Sequence, residues 1–336
     1  MRVVVVGAGM VARVAARHLL ASPAVELVTI ASRHHRSATM AADFLGRPRR
    51  LRIATYPGRH PGAALEGHQV AVVAVGGPFR PTAAACLDRG LHVVAAGDDP
   101  SVVRNLLGLD ADARRRERSV VVGACLAPGL SCLLARRAAA GLDRVEEVHV
   151  ASFGTGGPAC ARRHHAALSS LATEWHDGDW HRAPGGSGRE LVYFPEPVGG
   201  MDCYRAALAD PLLLVPAFPG VQRVTARLQA TRRDRFTAWL PMMRPPHPEG
   251  TVGAVRAEVR GWRAGVPAEC ILGAVVRPAL GAGLVAALAA LRAGEGRLLR
   301  PGAGGLAELV ADPGGFLADL ARAGVRPAVF EGAAAI

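Results

Sequence analysis

A run of β-branched residues, Val3 to Val6, breaks into Gly7-Ala-Gly9 and passes at once into an amphipathic segment over residues 11–20. Strand, glycine turn and helix in that order admit few folds, because each small residue has its own task. Gly7 permits a tight turn, Gly9 lets the backbone approach a pyrophosphate, and Ala12 lets the helix pack closely on the strand. The unsatisfied N–H groups and dipole of the helix's first turn, at Met10 and Val11, then favour an anion. Dinucleotide binding is the reading, with a tight βα turn that holds no ligand as the plainer alternative.

Residues 25–33 read as a second strand, ending in Ser32-Arg33-His34-His35-Arg36. An NAD-binding chain usually offers an acid to the ribose hydroxyls at that point. A hydroxyl and a guanidinium instead suit a 2′-phosphate, which an acid would repel. Glu26 lies at the wrong end of the strand to substitute. NADP(H) is therefore expected in preference to NAD(H), against the alternative of a solvated basic loop.

A length of 336 residues allows two domains and a sizeable core. Half of the residues are hydrophobic and only 4% aromatic, with Gly and Pro spread evenly, which fits a soluble α/β protein rather than a disordered or fibrous one. The longest apolar helix candidate, residues 279–291, is too short to span a bilayer. The opening strand lacks the basic region and cleavage site of a signal peptide, so a cytoplasmic location is expected. The net charge of +12 invites a nucleic-acid partner, but the basic residues are all Arg and only Arg114, Arg115, Arg116 and Arg118 cluster. Neither zinc-finger spacing nor an aromatic RNA-binding signature accompanies them. Coding bias and anionic small molecules account for the Arg excess. The expected partners are a small-molecule substrate and, as one option, a second copy in a homodimer, with neither nucleic acid nor membrane.

The missing Lys removes whole chemistries. Schiff-base catalysis, the Walker phosphate loop and the Tyr-x-x-x-Lys pair of short-chain dehydrogenases all require an amine. Six cysteines without a CxxC pair or His/Cys ligand spacing predict reduced thiols, with neither disulfide nor metal site.

Along the chain, strand candidates at 3–6, 26–31, 70–75, 92–95 and 119–122 alternate with Ala-rich segments of helical length. Pro128-Gly129 breaks this alternation and begins a helix over 131–140. Longer strands follow at 145–153, 190–194, 223–229, 235–240, 252–260 and 269–276. Helices at 279–291 and 316–323 and a short strand near 328–330 complete the tail. The fold class is α/β: a Rossmann-type doubly wound parallel sheet over residues 1–125, then a second α/β domain with a large mixed sheet over 126–299. Residues from about 300 to 336 are expected to have the option of packing back on the first.

Four segments together resemble the saccharopine dehydrogenase-like oxidoreductases, in the family's order. They are Gly7-x-Gly9-x-x-Ala12 with Ser32-Arg33, then Gly76-Gly77-Pro78-Phe79 with the following Cys86-Leu-Asp-Arg-Gly90-Leu-His92. Next come Cys125-Leu-Ala-Pro128-Gly129-Leu130-Ser131, and the tail from Arg300-Pro301-Gly302 through Phe316 to Val325. The likeness covers the first 140 or so residues well and the tail fairly. It implies a Rossmann domain, an inserted α/β substrate domain, and nicotinamide at the cleft between them. It further implies oxidation or formation of C–N bonds in amino-acid conjugates, with related branches acting on other bonds, C=C included. Ala95-Ala96 departs from the Val-Asp of many relatives, although Asp98 and Asp99 follow.

Hydride transfer needs no metal, only a nicotinamide placed against the reacting carbon and a proton donor or acceptor nearby. Gly76, Gly77, Pro78 and Phe79 occupy a turn at a strand's carboxyl end, where backbone contact with the nicotinamide half is expected. In the second domain the Thr155-Gly156-Gly157 loop suits close approach by a ligand, and Arg189 and Arg233 suit a substrate carboxylate. Asp202, Tyr204 and His247 are the proton-transfer candidates, as titratable residues in Gly- or Pro-rich turns. Each has a plainer reading: packing for Tyr204, a surface position for His247, an ion-pair cluster for the Arg residues. Cys125 reads as a packing residue, since no base adjoins it. The reading is an NADP(H)-dependent oxidoreductase acting on an imine or secondary amine of a small carboxylated substrate. Its rivals are reduction of a C=C bond in a polyketide or lipid precursor, and a non-catalytic NADP(H)-binding sensor or scaffold.

Overall fold

Val3 to Val6 are fully buried, as a strand covered on both faces requires. In the computed structural model, which describes residues 1–56, 61–242, 246–247 and 250–330, they belong to β1 (Arg2–Val6). The chain continues through α1 (Met10–Ala21), β2 (Leu27–Ser32), α2 (His35–Phe44), β3 (Leu51–Thr55), β4 (Val70–Val73), α3 (Phe79–Asp88), β5 (His92–Ala95), α4 (Pro100–Leu107), α5 (Asp110–Arg115) and β6 (Ser119–Val122). Next come α6 (Leu130–Ala138), β7 (Arg144–Phe153), α7 (Pro158–Ala167), β8 (Leu171–His176), β9 (Asp179–Pro184), β10 (Glu190–Phe194), β11 (Gly199–Arg205), α8 (Asp210–Leu214), β12 (Arg223–Gln229), α9 (Arg232–Thr237), β13 (Ala254–Arg263) and β14 (Val266–Val275). The last elements are α10 (Pro278–Gly294), β15 (Gly302–Gly304), α11 (Leu306–Leu309), α12 (Pro313–Arg322) and β16 (Arg326–Val329).

Two units divide these elements: Met1–Cys125 with Ala282–Ala311, and Leu126–Gly281 with the chain from Asp312. The first holds a seven-stranded sheet in the order β3-β2-β1-β4-β5-β6-β15, every pair parallel. Strand order reverses between β1 and β4, the position at which doubly wound sheets open a crevice. Helix α1 sits there because Ala12, Ala15, Ala16 and Leu19 recur at helical spacing and are all buried. Their three alanines keep helix and sheet close, and burying Leu19 contributes about 2 kcal/mol.

The tail divides differently from the expected boundaries. Residues 282–299, expected in the second domain, belong to the first unit because α10 packs on α1. At Gly283 a side chain would press into Val14 and the Val11 carbonyl, so the absent Cβ is what lets the helices meet. Residues 312–330, expected to have the option of packing on the first domain, belong to the second unit. There α12 lies on α6, and β16 pairs antiparallel with β14.

The second unit carries a nine-stranded mixed sheet, β10-β11-β12-β7-β13-β14-β16 with β8 and β9 branching from β12. β7 runs parallel to β12 and antiparallel to β13. Residues 235–240 are not the expected strand. Thr231 and Asp234 form a capping box, each side chain bonding the other residue's backbone N–H, and start α9 instead. The Gly199 to Arg205 stretch, expected as a turn, is β11, paired with β10 and β12. Among the described residues no helix is long and apolar enough to cross a membrane.

His92, at the start of β5, accepts the Ser119 N–H on Nδ1 at 3.2 Å. Burial, helped by the charge of Arg118, pushes its pKa down to about 4. The neutral ring is thus the folded form, and the unfolded chain takes up a proton from about pH 6.5 downward. Stability contributed by His92 is complete above pH 6.5 and is lost as pH falls toward 4. In urea titrations the wild-type midpoint should fall faster over that window than the midpoint of His92→Asn, which keeps an acceptor without titrating. Parallel slopes would refute this assignment.

Candidate functional site

The crevice is built from the carboxyl ends of β1, β2 and β4. Gly7 leaves β1 with φ +131°, and a Cβ there would overlap the Ala74 carbonyl that follows β4. Its amide donates to the Ala31 carbonyl at 2.8 Å, so the turn is tied to both flanking strands. Gly9 is the opposite case. Its φ of −74° suits any residue, and a Cβ would meet nothing within 4 Å. The space above Gly9 is open, which is what a phosphate approaching the backbone needs.

Gly9 caps α1 without a side-chain hydrogen bond, and no acidic residue stands in the first turn. The N–H groups at Met10 and Val11 therefore present the positive end of a twelve-residue helix with no built-in counter-charge. Arg13 Nε donates to the Ala8 carbonyl at 3.0 Å and adds positive charge beside the turn. Arg13 was not among the residues expected from sequence, although it stands one position after the fingerprint.

At the end of β2, Ser32 is buried and Arg33 exposed, with His34, His35 and Arg36 exposed after it. Ser32 Oγ accepts the His34 N–H at 3.4 Å, and His35 Nδ1 lies 3.4 Å from Thr55 Oγ1 of β3. Burial raises the Tyr56 pKa and the Arg33 guanidinium opposes it, which places the Arg33 charge near the β3 end as well. The rim is cationic and free of carboxylates from residue 32 to 36.

Past β4, Gly76 and Gly77 form an open turn in which a Cβ would meet nothing within 4 Å. Pro78 caps α3. The Phe79 ring is buried and lies against Gly97, so only its backbone belongs to the turn. Asp99 is engaged structurally, accepting the Ser101 and Val102 N–H groups as the cap of α4.

The residues expected in the second unit fall into different settings. The Thr155-Gly156-Gly157 loop packs against residues 250–253: the Thr251 N–H bonds the Thr155 carbonyl at 3.1 Å, and a Cβ on Gly250 would overlap that carbonyl. A Cβ on Gly156 would press on the Ala279 backbone, and Gly157 takes φ +117°, so these two glycines are also set by local packing and conformation. Asp202 lies on β11 in an ion pair with Arg189 at 2.9 Å, with 28% of its side chain exposed. Tyr204, on the same strand, is fully buried, and its hydroxyl has no hydrogen-bond partner among the described residues. Neither residue occupies the stiff turn expected for it. Arg233 is exposed on α9. His247 accepts the Gly250 N–H on its carbonyl at 3.2 Å, while Pro245, Pro248 and Glu249 lie outside the described residues.

An unforeseen charge cluster occupies the β8–β12 side of the sheet. The buried Glu174 carboxylate takes hydrogen bonds from Arg227, from Arg205 at 3.1 Å and from His176 at 3.2 Å. Burial alone would raise its pKa, but Arg227, with the other two donors, outweighs that and holds it below the usual range. Arg205 and Arg227 are thereby fixed as structural cations. Arg189 and Arg233 are left as the exposed ones named from sequence.

Fold and crevice together define a Rossmann-type doubly wound unit and a second α/β unit. No protein-family model matches the chain. Its structure superposes on histidine-tagged apo saccharopine dehydrogenase (L-Glu forming) from Saccharomyces cerevisiae with a TM-score of 0.69 and 14% identity, over 98% of this chain and 99% of that one. The chain therefore has the saccharopine dehydrogenase fold. GenD2 from gentamicin A biosynthesis, in complex with NAD, matches with a TM-score of 0.49 and 16% identity, over 99% of this chain and 97% of that one. A probable dehydrogenase from Thermotoga maritima matches with a TM-score of 0.46 and 9% identity, over 80% and 75%.

Proposed function

We propose that the chain is an NADP(H)-dependent oxidoreductase of the saccharopine dehydrogenase type. It transfers a hydride to an imine, or from the corresponding secondary amine, of a small carboxylated substrate derived from an amino acid. The observation that carries this reading is the pairing of an open glycine turn at the start of α1 with a β2 rim of hydroxyl and guanidinium. These residues fit the cofactor: backbone N–H groups at Met10 and Val11 for the pyrophosphate, Ser32 and Arg33 for a 2′-phosphate. The Gly76-Gly77 turn offers open backbone for the nicotinamide half. When bound, the nicotinamide supplies or accepts the hydride. The chain's own residues bind, orient and move a proton. Arg189 and Arg233 serve the substrate carboxylate, and Asp202, partly exposed, is preferred to buried Tyr204 for the proton, with His247 as its alternative.

A second reading, NADP(H) binding without catalysis, draws on the ion pair that already engages Asp202. Incubation with NADPH and panels of 2-oxo acids plus amines separates the two. Cofactor consumption is the expected result, with NADH consumed at least about tenfold more slowly for the loss of its charge-assisted phosphate contacts. Consumption with enoyl thioesters alone would move the assignment to C=C reduction. No consumption with either panel would leave the binding protein.

A further inference from the structure

A cavity of about 340 Å³ opens in the second unit, bounded by the end of α6, the β13–β14 hairpin, α12 and β16. Its walls are carbon: Leu134, Ala138, Leu272 and Leu317. The polar groups around it are few and of one sign, the guanidiniums of Arg137 and Arg263, with the Cys270 thiol between their fields. Burial pushes that thiol's pKa up, while Arg137 and Arg263 pull it back and Glu269 adds to the rise.

Neighbouring acids are engaged elsewhere. Glu269 pairs with Arg260 at 2.8 Å, Asp143 accepts the Ala264 N–H at 2.6 Å, and Asp312 accepts the Gly315 N–H at 2.8 Å. Arg263 is anchored by one bond, from Nε to the Gly141 carbonyl at 2.6 Å, which leaves its terminal nitrogens for a ligand. Among the described residues neither guanidinium is in an ion pair with a carboxylate. Two cations with no carboxylate partner among the described residues, in the lining of an otherwise apolar hollow of ligand size, define what fits.

We infer that this cavity binds an amphiphilic monoanion, its carboxylate on Arg137 and Arg263 and its aliphatic or aryl tail against the leucines. Roughly ten non-hydrogen atoms at about 30 Å³ apiece match the space. No residue of the β1–α1 crevice takes part, so this inference stands or falls apart from the proposed reaction.

Octanoate and 1-octanol, which share a tail and differ in charge, test it on the full chain. Iodoacetamide alkylates the Cys270 thiolate with loss of iodide, and peptide mass spectrometry reads the rate at that position. Cys86, Cys132 and Cys203, whose thiols burial pushes up to about 12, are internal references. Saturating octanoate should slow Cys270 labelling at least about fivefold, and octanol at the same concentration less than about twofold, the difference being the charge-assisted head-group contacts. Arg137→Gln with Arg263→Gln should erase that difference. Arg137→Gln alone should halve it or more, and folds regardless because Arg137 donates no hydrogen bond among the described residues. Unchanged labelling under octanoate, equal protection by octanol, or full protection in the variants would overturn the inference.

Discussion

Arg33→Ala is expected to weaken NADPH binding by about 10- to 100-fold while leaving NADH binding within about twofold. Hydrogen bonds to a charged group contribute roughly 1.5–3 kcal/mol, and 1.4 kcal/mol is a factor of ten. Arg33 is exposed, and His34, His35 and Arg36 share its field, so solvent and neighbours draw the effect toward the lower end. Arg33→Lys keeps the charge without the planar fork and should fall between. Fluorescence titrations at one fixed ionic strength decide the matter. Equal losses for both nucleotides would mean that Arg33 supports the fold of the rim and does not read the phosphate.

The second large effect separates the two glycines of the opening turn. Gly7→Ala puts a Cβ into the Ala74 carbonyl at φ +131°. The dihedral alone costs of order 1–3 kcal/mol, and the overlap, with backbone on both sides, raises the total beyond about 3 kcal/mol. Gly9→Ala carries neither burden, since its φ is ordinary and its Cβ would face open space. It should melt within about 0.5 kcal/mol of wild type and still lose nucleotide affinity, because that open space is where the pyrophosphate lies in the proposed complex. Denaturant unfolding together with NADPH titration of both variants checks the pair. Normal affinity in Gly9→Ala would place the cofactor elsewhere.

Where burial is two-sided, the sequence was plain to read. Val3 to Val6 and Val70 to Val73 are continuous apolar runs because helices cover both faces of the parallel sheet. The one-sided and edge strands were harder. β3 is short and half-exposed, and its Leu-Arg-Ile-Ala-Thr gives no clean alternation. The β8–β9 hairpin was legible in principle, since Asp177-Gly178 takes φ +52° and +87°, the pattern of a tight hairpin turn. In α9 the capping box, a local signal, prevailed over the apolar spacing of residues 235–240. The strand, turn and helix of the crevice were readable because backbone and small residues in one contiguous stretch build them. The second unit's polar residues were not, because their roles depend on pairing across strands. Asp202 meets Arg189 from the neighbouring strand's end, and Glu174 gathers Arg205 and Arg227 from strands far off in the chain.

The most direct test is a crystal of the chain soaked with NADPH. The expected density has the pyrophosphate at the first turn of α1, above Gly9, and the 2′-phosphate on Ser32 and Arg33. Saturating NADPH that leaves this crevice unfilled, or a nucleotide whose 2′-phosphate points away from Arg33, would contradict the central claim.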